Sequence, residues 1–159
     1  MNRENLKMTA YVNVASLLKL PLLAFCTPQV VRIDDERSEI KVRLDWRTRN
    51  HLNVMYFGAL AMGAELSIAL KAIQEIQRAK QRIDFIFQDF DAQFLKRADG
   101  HVHFICDEAA GVRELIEKAA ASTERFHHKF EGYAVVEGST EPVMKYHLTL
   151  SVKNRSKKS

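Results

Sequence analysis

Residues 49–73 read RNHLNVMYFGALAMGAELSIALKAI. From Val54 to Leu70 nearly every position is apolar or small, and the only charge is Glu65. A run of this length and composition predicts a helix over about residues 55–80, enclosed on most sides in its first half. An unpaired carboxylate is among the costliest groups to take out of water. Glu65 therefore has either a buried partner or a task. Lys71, Gln74, Arg78 and Lys80 give the last turns a basic and polar character, which the helix macrodipole favours, and predict an end that emerges into solvent.

The flanking chain reads as short elements. Met8, Tyr11, Val12, Ala15 and Leu18 recur at helical spacing over residues 7–20, and Pro21 ends that helix. Residues 30–33 and 39–46 read as strands, the second with Ile40, Val42, Leu44 and Trp46 alternating against Lys41, Arg43 and Asp45. The polar residues 34–38 between them make the turn of a hairpin. Strands at 83–95 and 101–106 are expected to form a second hairpin through Ala98-Asp99-Gly100, where glycine makes a positive φ cheap. Residues 109–121 carry Val112, Leu115, Ile116 and Ala119 on one stripe, with charged residues opposite, as a surface helix does. Strands at 125–136 and 142–152 complete the order.

Every strand-to-strand link is short, so the sheet should be mainly antiparallel. A helix apolar all round must lie against that sheet on one side and against something else on the other. The expected class is α+β, with a curved antiparallel sheet wrapped around one long central helix: the hotdog architecture.

A length of 159 residues suits one domain, taken as residues 1–152 with an N-terminal helix, followed by a basic, disordered tail at 153–159. Much of the net charge of +4 sits in that tail, and no basic stripe is interleaved with aromatics, which argues against nucleic-acid binding. A modest positive field still favours an anionic substrate. The longest apolar run is interrupted by Glu65, and the N-terminus has no signal-peptide core, so a soluble protein without a membrane span is expected. Cys26 and Cys106 are isolated thiols, pointing to neither zinc nor a disulfide framework and fitting the cytoplasm. His101 with His103, and His127 with His128, lack an acid or cysteine at ligand spacing, so no metal and no cofactor is expected.

The segment from Asn50 to Glu65 resembles the active-site segment of hotdog-fold acyl-CoA thioesterases of the phenylacetyl-CoA and 4-hydroxybenzoyl-CoA kind, and the order of elements over residues 10–152 is similar. In that family an amide residue is followed six positions later by histidine, then by two glycines that open the central helix, then by an acid nine positions after the histidine. Here Asn50 is the amide, Tyr56 stands at the histidine position, Phe57 and Gly58 at the glycine positions, and Glu65 is the acid. The wider pattern is closer still to a poorly characterised thioesterase-like branch of the superfamily. The resemblance implies hydrolysis of acyl-CoA or acyl carrier protein thioesters by a homodimer or a tetramer built from it.

Residue chemistry is compatible with those roles. Thioester hydrolysis needs an activated water or a carboxylate nucleophile, and donors for the charge that develops on the carbonyl oxygen. Glu65 is the expected base or nucleophile, the Phe57 and Gly58 amides the oxyanion hole, and Asn50 the group that orients water or carbonyl. Tyr56, Ala61 and Ala69 are expected to border the acyl group, with Ala64 and Ala72 adding room on the same face. Lys96 and Arg97 are candidates for the phosphates of coenzyme A. Phe57 and Glu65 lie eight residues apart, about 12 Å along one helix axis, so one small carbonyl cannot touch both. The expected solution is a two-fold dimer in which Glu65 faces the amides of the other copy.

Other readings remain open at this level. Glu65 could be a buried carboxylate, paired with an arginine or capped by a strand amide, that holds a dimer in register, and Asn50 could simply cap the central helix or stabilise its own turn. The protein could bind acyl-CoA without turnover. His51 lies fourteen residues before Glu65, the spacing of hotdog hydroxyacyl thioester dehydratases, although the prolines that shape their loop are missing.

Overall fold

The computed structural model describes residues 3–156. Its elements run α1 (Arg3–Lys19), α2 (Pro21–Phe25), β1 (Gln29–Ile33), β2 (Ser38–Val42), α3 (Phe57–Ala79), β3 (Ile83–Phe94), β4 (Val102–Cys106), α4 (Ala109–Ala121), β5 (Arg125–Val136) and β6 (Pro142–Asn154). The strands form one six-stranded sheet in the order β1-β2-β4-β5-β6-β3, with every neighbouring pair antiparallel. The sheet and the long helix beside it make a hotdog fold.

Pro21 ends α1 and also opens the five-residue α2, because its fixed φ and missing N–H suit a first helical position. The first hairpin forms as expected, but β2 stops at Val42. Beyond it Asp45 and Thr48 organise a loop: the Thr48 hydroxyl donates to the Arg43 carbonyl at 2.6 Å, and the Asp45 N–H donates back to that hydroxyl at 3.0 Å. Trp46 leaves the sheet with 71% of its surface exposed and meets Phe25 edge-on, centroids 5.8 Å apart.

The expected second hairpin does not form. β3 crosses to the far edge and pairs with β6, while β4 lies between β2 and β5. Length decides the matter: the 12-residue β3 finds hydrogen-bonding partners along the 13-residue β6, which the five-residue β4 cannot offer. Gly100 has no positive φ; it is needed because a Cβ there would come within 2.7 Å of Val136 Cγ1. At the C-terminus, β6 continues through Lys153 and Asn154, and Arg155 pairs with Asp84 and bonds the Arg82 carbonyl. Ordered structure thus extends past residue 152; Lys157, Lys158 and Ser159 lie outside the described residues.

Two apolar clusters place α3. Ala64, Ile68 and Ala72 pack into the main core with Phe104, Phe130 and Leu150 of the sheet and Val112 and Ile116 of α4. Leu66 and Leu70 face the other way, against Val12 of α1, Leu23 of α2 and Val30 and Ile40 of the first hairpin. The cover for the second face of the central helix therefore comes in part from the N-terminal helices of the same chain. Among the described residues α3 is the one helix long and apolar enough to cross a membrane, and most of that stretch is buried in the protein.

The end of α3 does not simply emerge. Lys71 is fully buried, with its Nζ 2.7 Å from Glu75 and 3.0 Å from Asp35. Arg78 reaches Glu75 at 2.9 Å, and Arg113 of α4 reaches Asp35 at 2.6 Å. Glu75, one turn on, and Asp35 of the turn between β1 and β2 supply the anions that make this burial tolerable, the second through a long-range pairing that helix composition alone does not reveal.

Candidate active site

The start of α3 is an uncapped helix terminus. Tyr56 precedes it with an extended backbone and no side-chain capping bond, and the first N–H to find a helical acceptor is that of Leu60, which donates to Tyr56 O at 3.1 Å. The N–H groups of Phe57, Gly58 and Ala59 are those that any helix start leaves without an intrahelical acceptor, and the macrodipole places partial positive charge there. The Tyr56 ring lies over this start: a Cβ added to Gly58 would sit 2.5 Å from its Cε1. Phe57 packs edge-on against Phe94 of β3 at 5.7 Å, and both rings remain about half exposed.

The loop before the helix is held by Asn50. Its Oδ1 accepts from the N–H of Leu52 at 2.8 Å and of Val54 at 3.4 Å, and its own N–H donates to Val54 O at 2.8 Å. The turn-stabilising role of Asn50 is thus present in the structure, which leaves its Nδ2 as the atom available to a substrate. Tyr56 N donates to Thr48 O and Met55 N to Ala98 O, tying loop, helix start and the end of the β3–β4 connection together.

Glu65 is half-buried and makes no hydrogen bond or ion pair to any described residue. It borders two apolar hollows, one of about 280 Å³ with Leu20–Leu23 and Met62, the other of about 290 Å³ with residues of α1, α3 and β3. Desolvation raises its carboxyl above the usual carboxylate range. Glu75, ten residues later on the same helix, is more deeply buried and has two cations. A buried ion pair is formed within the chain by Glu75 instead.

The remaining expected residues divide between these two places. Ala69 lines the hollow beside Glu65. Ala61, one turn before Glu65, is half-buried, whereas Ala64 and Ala72 turn to the sheet and are fully buried there, leaving no room for a substrate. Lys96 is ion-paired with Glu141 at the surface, and Arg97 is exposed with no ion pair to a described residue. His51 is exposed in the loop, outside α3, so one chain does not bring it to Glu65. Burial pushes the Cys106 thiol up to about 12 and also raises Cys26, so neither offers a ready thiolate. No cluster of three or more metal-ligating side chains occurs among the described residues. Sequence reasoning missed the N-terminal wall of the Glu65 hollow, formed by Tyr11, Val12, Ala15, Leu20 and Leu23; the apolar spacing of α1 was its only signal.

Residues 9–152 match the family described as a domain of unknown function, DUF4442. The chain belongs to that family. No curated protein matches the sequence. Among solved structures, a Chlorobaculum tepidum protein of unknown function superposes with a TM-score of 0.78 at 11% identity, covering 94% of this chain and 96% of that one. A Pseudomonas aeruginosa protein, itself of unknown function and reported as a probable thioesterase, gives 0.75 at 17% identity over 92% and 96%. A Haemophilus influenzae thioesterase gives 0.64 at 15% identity over 90% of each chain. At these identities the likeness establishes the fold that this chain shares with those structures.

Proposed function

We propose that the protein hydrolyses acyl thioesters of coenzyme A or acyl carrier protein at a site completed by two copies of the chain. The observation that carries this reading is Glu65: a carboxylate with no cation among the described residues, bordering apolar space, on the same helix as a set of uncapped amides. Within one chain the two features are about 12 Å apart along the axis. A second chain related by a two-fold axis, with its α3 antiparallel, would set its Phe57 and Gly58 amides opposite Glu65. The thioester carbonyl oxygen would rest on those amides. Glu65 would take a proton from water as the water oxygen adds to the carbonyl carbon; the carbon–sulfur bond then breaks, and the thiolate leaves with that proton. In the alternative route the carboxylate adds directly, and water cleaves the resulting anhydride.

The solved relatives named as thioesterases support this class of reaction. The exposed Arg97, close in sequence to Ala98, whose carbonyl is bonded by Met55 near the helix start, is the candidate for a coenzyme A phosphate; Lys96 would first have to leave Glu141. Replacing Glu65 by Gln and following thiol release from a panel of acyl-CoAs tests the assignment. The expected loss is about a hundredfold or more, and undiminished turnover would remove Glu65 from the chemistry. A second reading, acyl-CoA binding without turnover, is favoured by the engagement of Asn50 Oδ1 in its own loop. Calorimetry beside the hydrolysis assay separates the two.

A further inference from the structure

We infer that the hollow between α1, α2 and α3 is the acyl compartment of this site, and that Tyr11 and Ala15 of the N-terminal helix set the length of the unbranched aliphatic chain it accepts. The inference rests on the role proposed for Glu65 and adds the class of substrate. The hollow measures about 290 Å³, at the small end of ligand sites, which suits one slender chain better than a bulky ring system. Among the described residues its walls are aliphatic except for Phe85 on β3, Tyr11 on α1 and Glu65.

The direction of α1 places those two groups apart. Leu20 and Leu23 lie beside Glu65, while the Tyr11 hydroxyl accepts from Gln77 Nε2 at 2.9 Å, three turns further along α3. The N-terminal helix thus runs back along the central one. From Glu65 to Ile73 the hollow extends about 12 Å in the axial direction, room for an acyl group of medium length. Ala15 on α1 and Ala69 on α3 both border the channel, where larger side chains would narrow it. No cation occurs among the described residues of its lining, and the anionic portion of a thioester stays outside. Glu65 at one end is where the carbonyl belongs, and Tyr11 marks where the chain stops.

Wild-type protein and the variants Ala15→Trp and Tyr11→Ala are assayed with butyryl-, octanoyl- and palmitoyl-CoA, hydrolysis by thiol release and binding by calorimetry in parallel. The kcat/KM ratio of octanoyl to butyryl should fall about tenfold or more in Ala15→Trp. The ratio of palmitoyl to octanoyl should rise in Tyr11→Ala. Opposite shifts from two changes on one helix cannot both arise from loss of fold. Turnover with the same chain-length profile in all three proteins overturns the inference and leaves the role of Glu65 standing. If wild type hydrolyses none of the three, the hydrolysis reading fails on its own. The compartment is then judged by octanoyl-CoA affinity, which must weaken about tenfold in Ala15→Trp; equal affinity, or no binding by wild type, overturns it.

Discussion

Glu65 and Glu75 sit on one helix and meet opposite conditions, one without a cation and the other with two. For Glu65 desolvation is the cause of the raised carboxyl, so the folded protein holds that proton more tightly than the unfolded chain. The resulting stabilisation is complete below the ordinary glutamate value of about 4.3 and is lost as pH rises through the higher folded value. Glu65→Gln should therefore melt at a higher temperature than wild type near neutral pH, with the two curves converging as acid protonates the wild-type carboxyl. The same titration should appear as an acid limb in kcat/KM, with a midpoint above that of an ordinary glutamate. A stability difference that is flat with pH would mean that Glu65 titrates alike in the folded and unfolded chain, and a Glu65→Gln protein less stable than wild type near neutral pH would mean an ionic partner.

At the level of elements, α3 works as a plank between two packed surfaces, its alanines against the sheet and its leucines against α1 and α2. Its boundaries and burial were legible in residues 49–73, because a long apolar run leaves few alternatives to a core helix. The partners of its polar residues were not. Lys71 looks like the first residue of an emerging end, yet it is fully buried between Glu75 and Asp35, the latter from a hairpin turn 36 residues earlier. Lys71→Met should cost about 3 kcal/mol in denaturant unfolding, since it leaves Glu75 buried with Arg78 alone. A change within error would show that solvent already screens the cluster.

For the molecule as a whole, β3 is an edge strand of 12 residues that exposes Ile86, Phe90 and Phe94. Long apolar edges invite another strand, and antiparallel pairing of β3 with its copy would join two sheets and set the two α3 helices antiparallel on one face. The protein should sediment as a dimer at micromolar concentration. Ile86→Lys should shift it toward monomer with its circular dichroism unchanged and its thioester turnover reduced. Wild-type protein that stays monomeric while hydrolysing thioesters would end the two-copy reading of the site.

Composition and periodicity sufficed for the element order apart from the short α2, for the antiparallel sheet, the buried helix and the acid in its middle, because each depends on neighbours close along the chain. Strand partnership did not follow from turn signals: β3 bypassed the nearby β4 for β6, since a ladder's stability grows with the length over which two strands can pair. Nor did spacing show that Asn50 serves its own loop, that Ala64 and Ala72 are filled by the sheet, or that α1 walls the space beside Glu65. The last two outcomes depend on contacts between residues far apart in the chain, which exist only once the helices and the sheet have packed; the Asn50 turn is local, one of several bonds its short side chain could make.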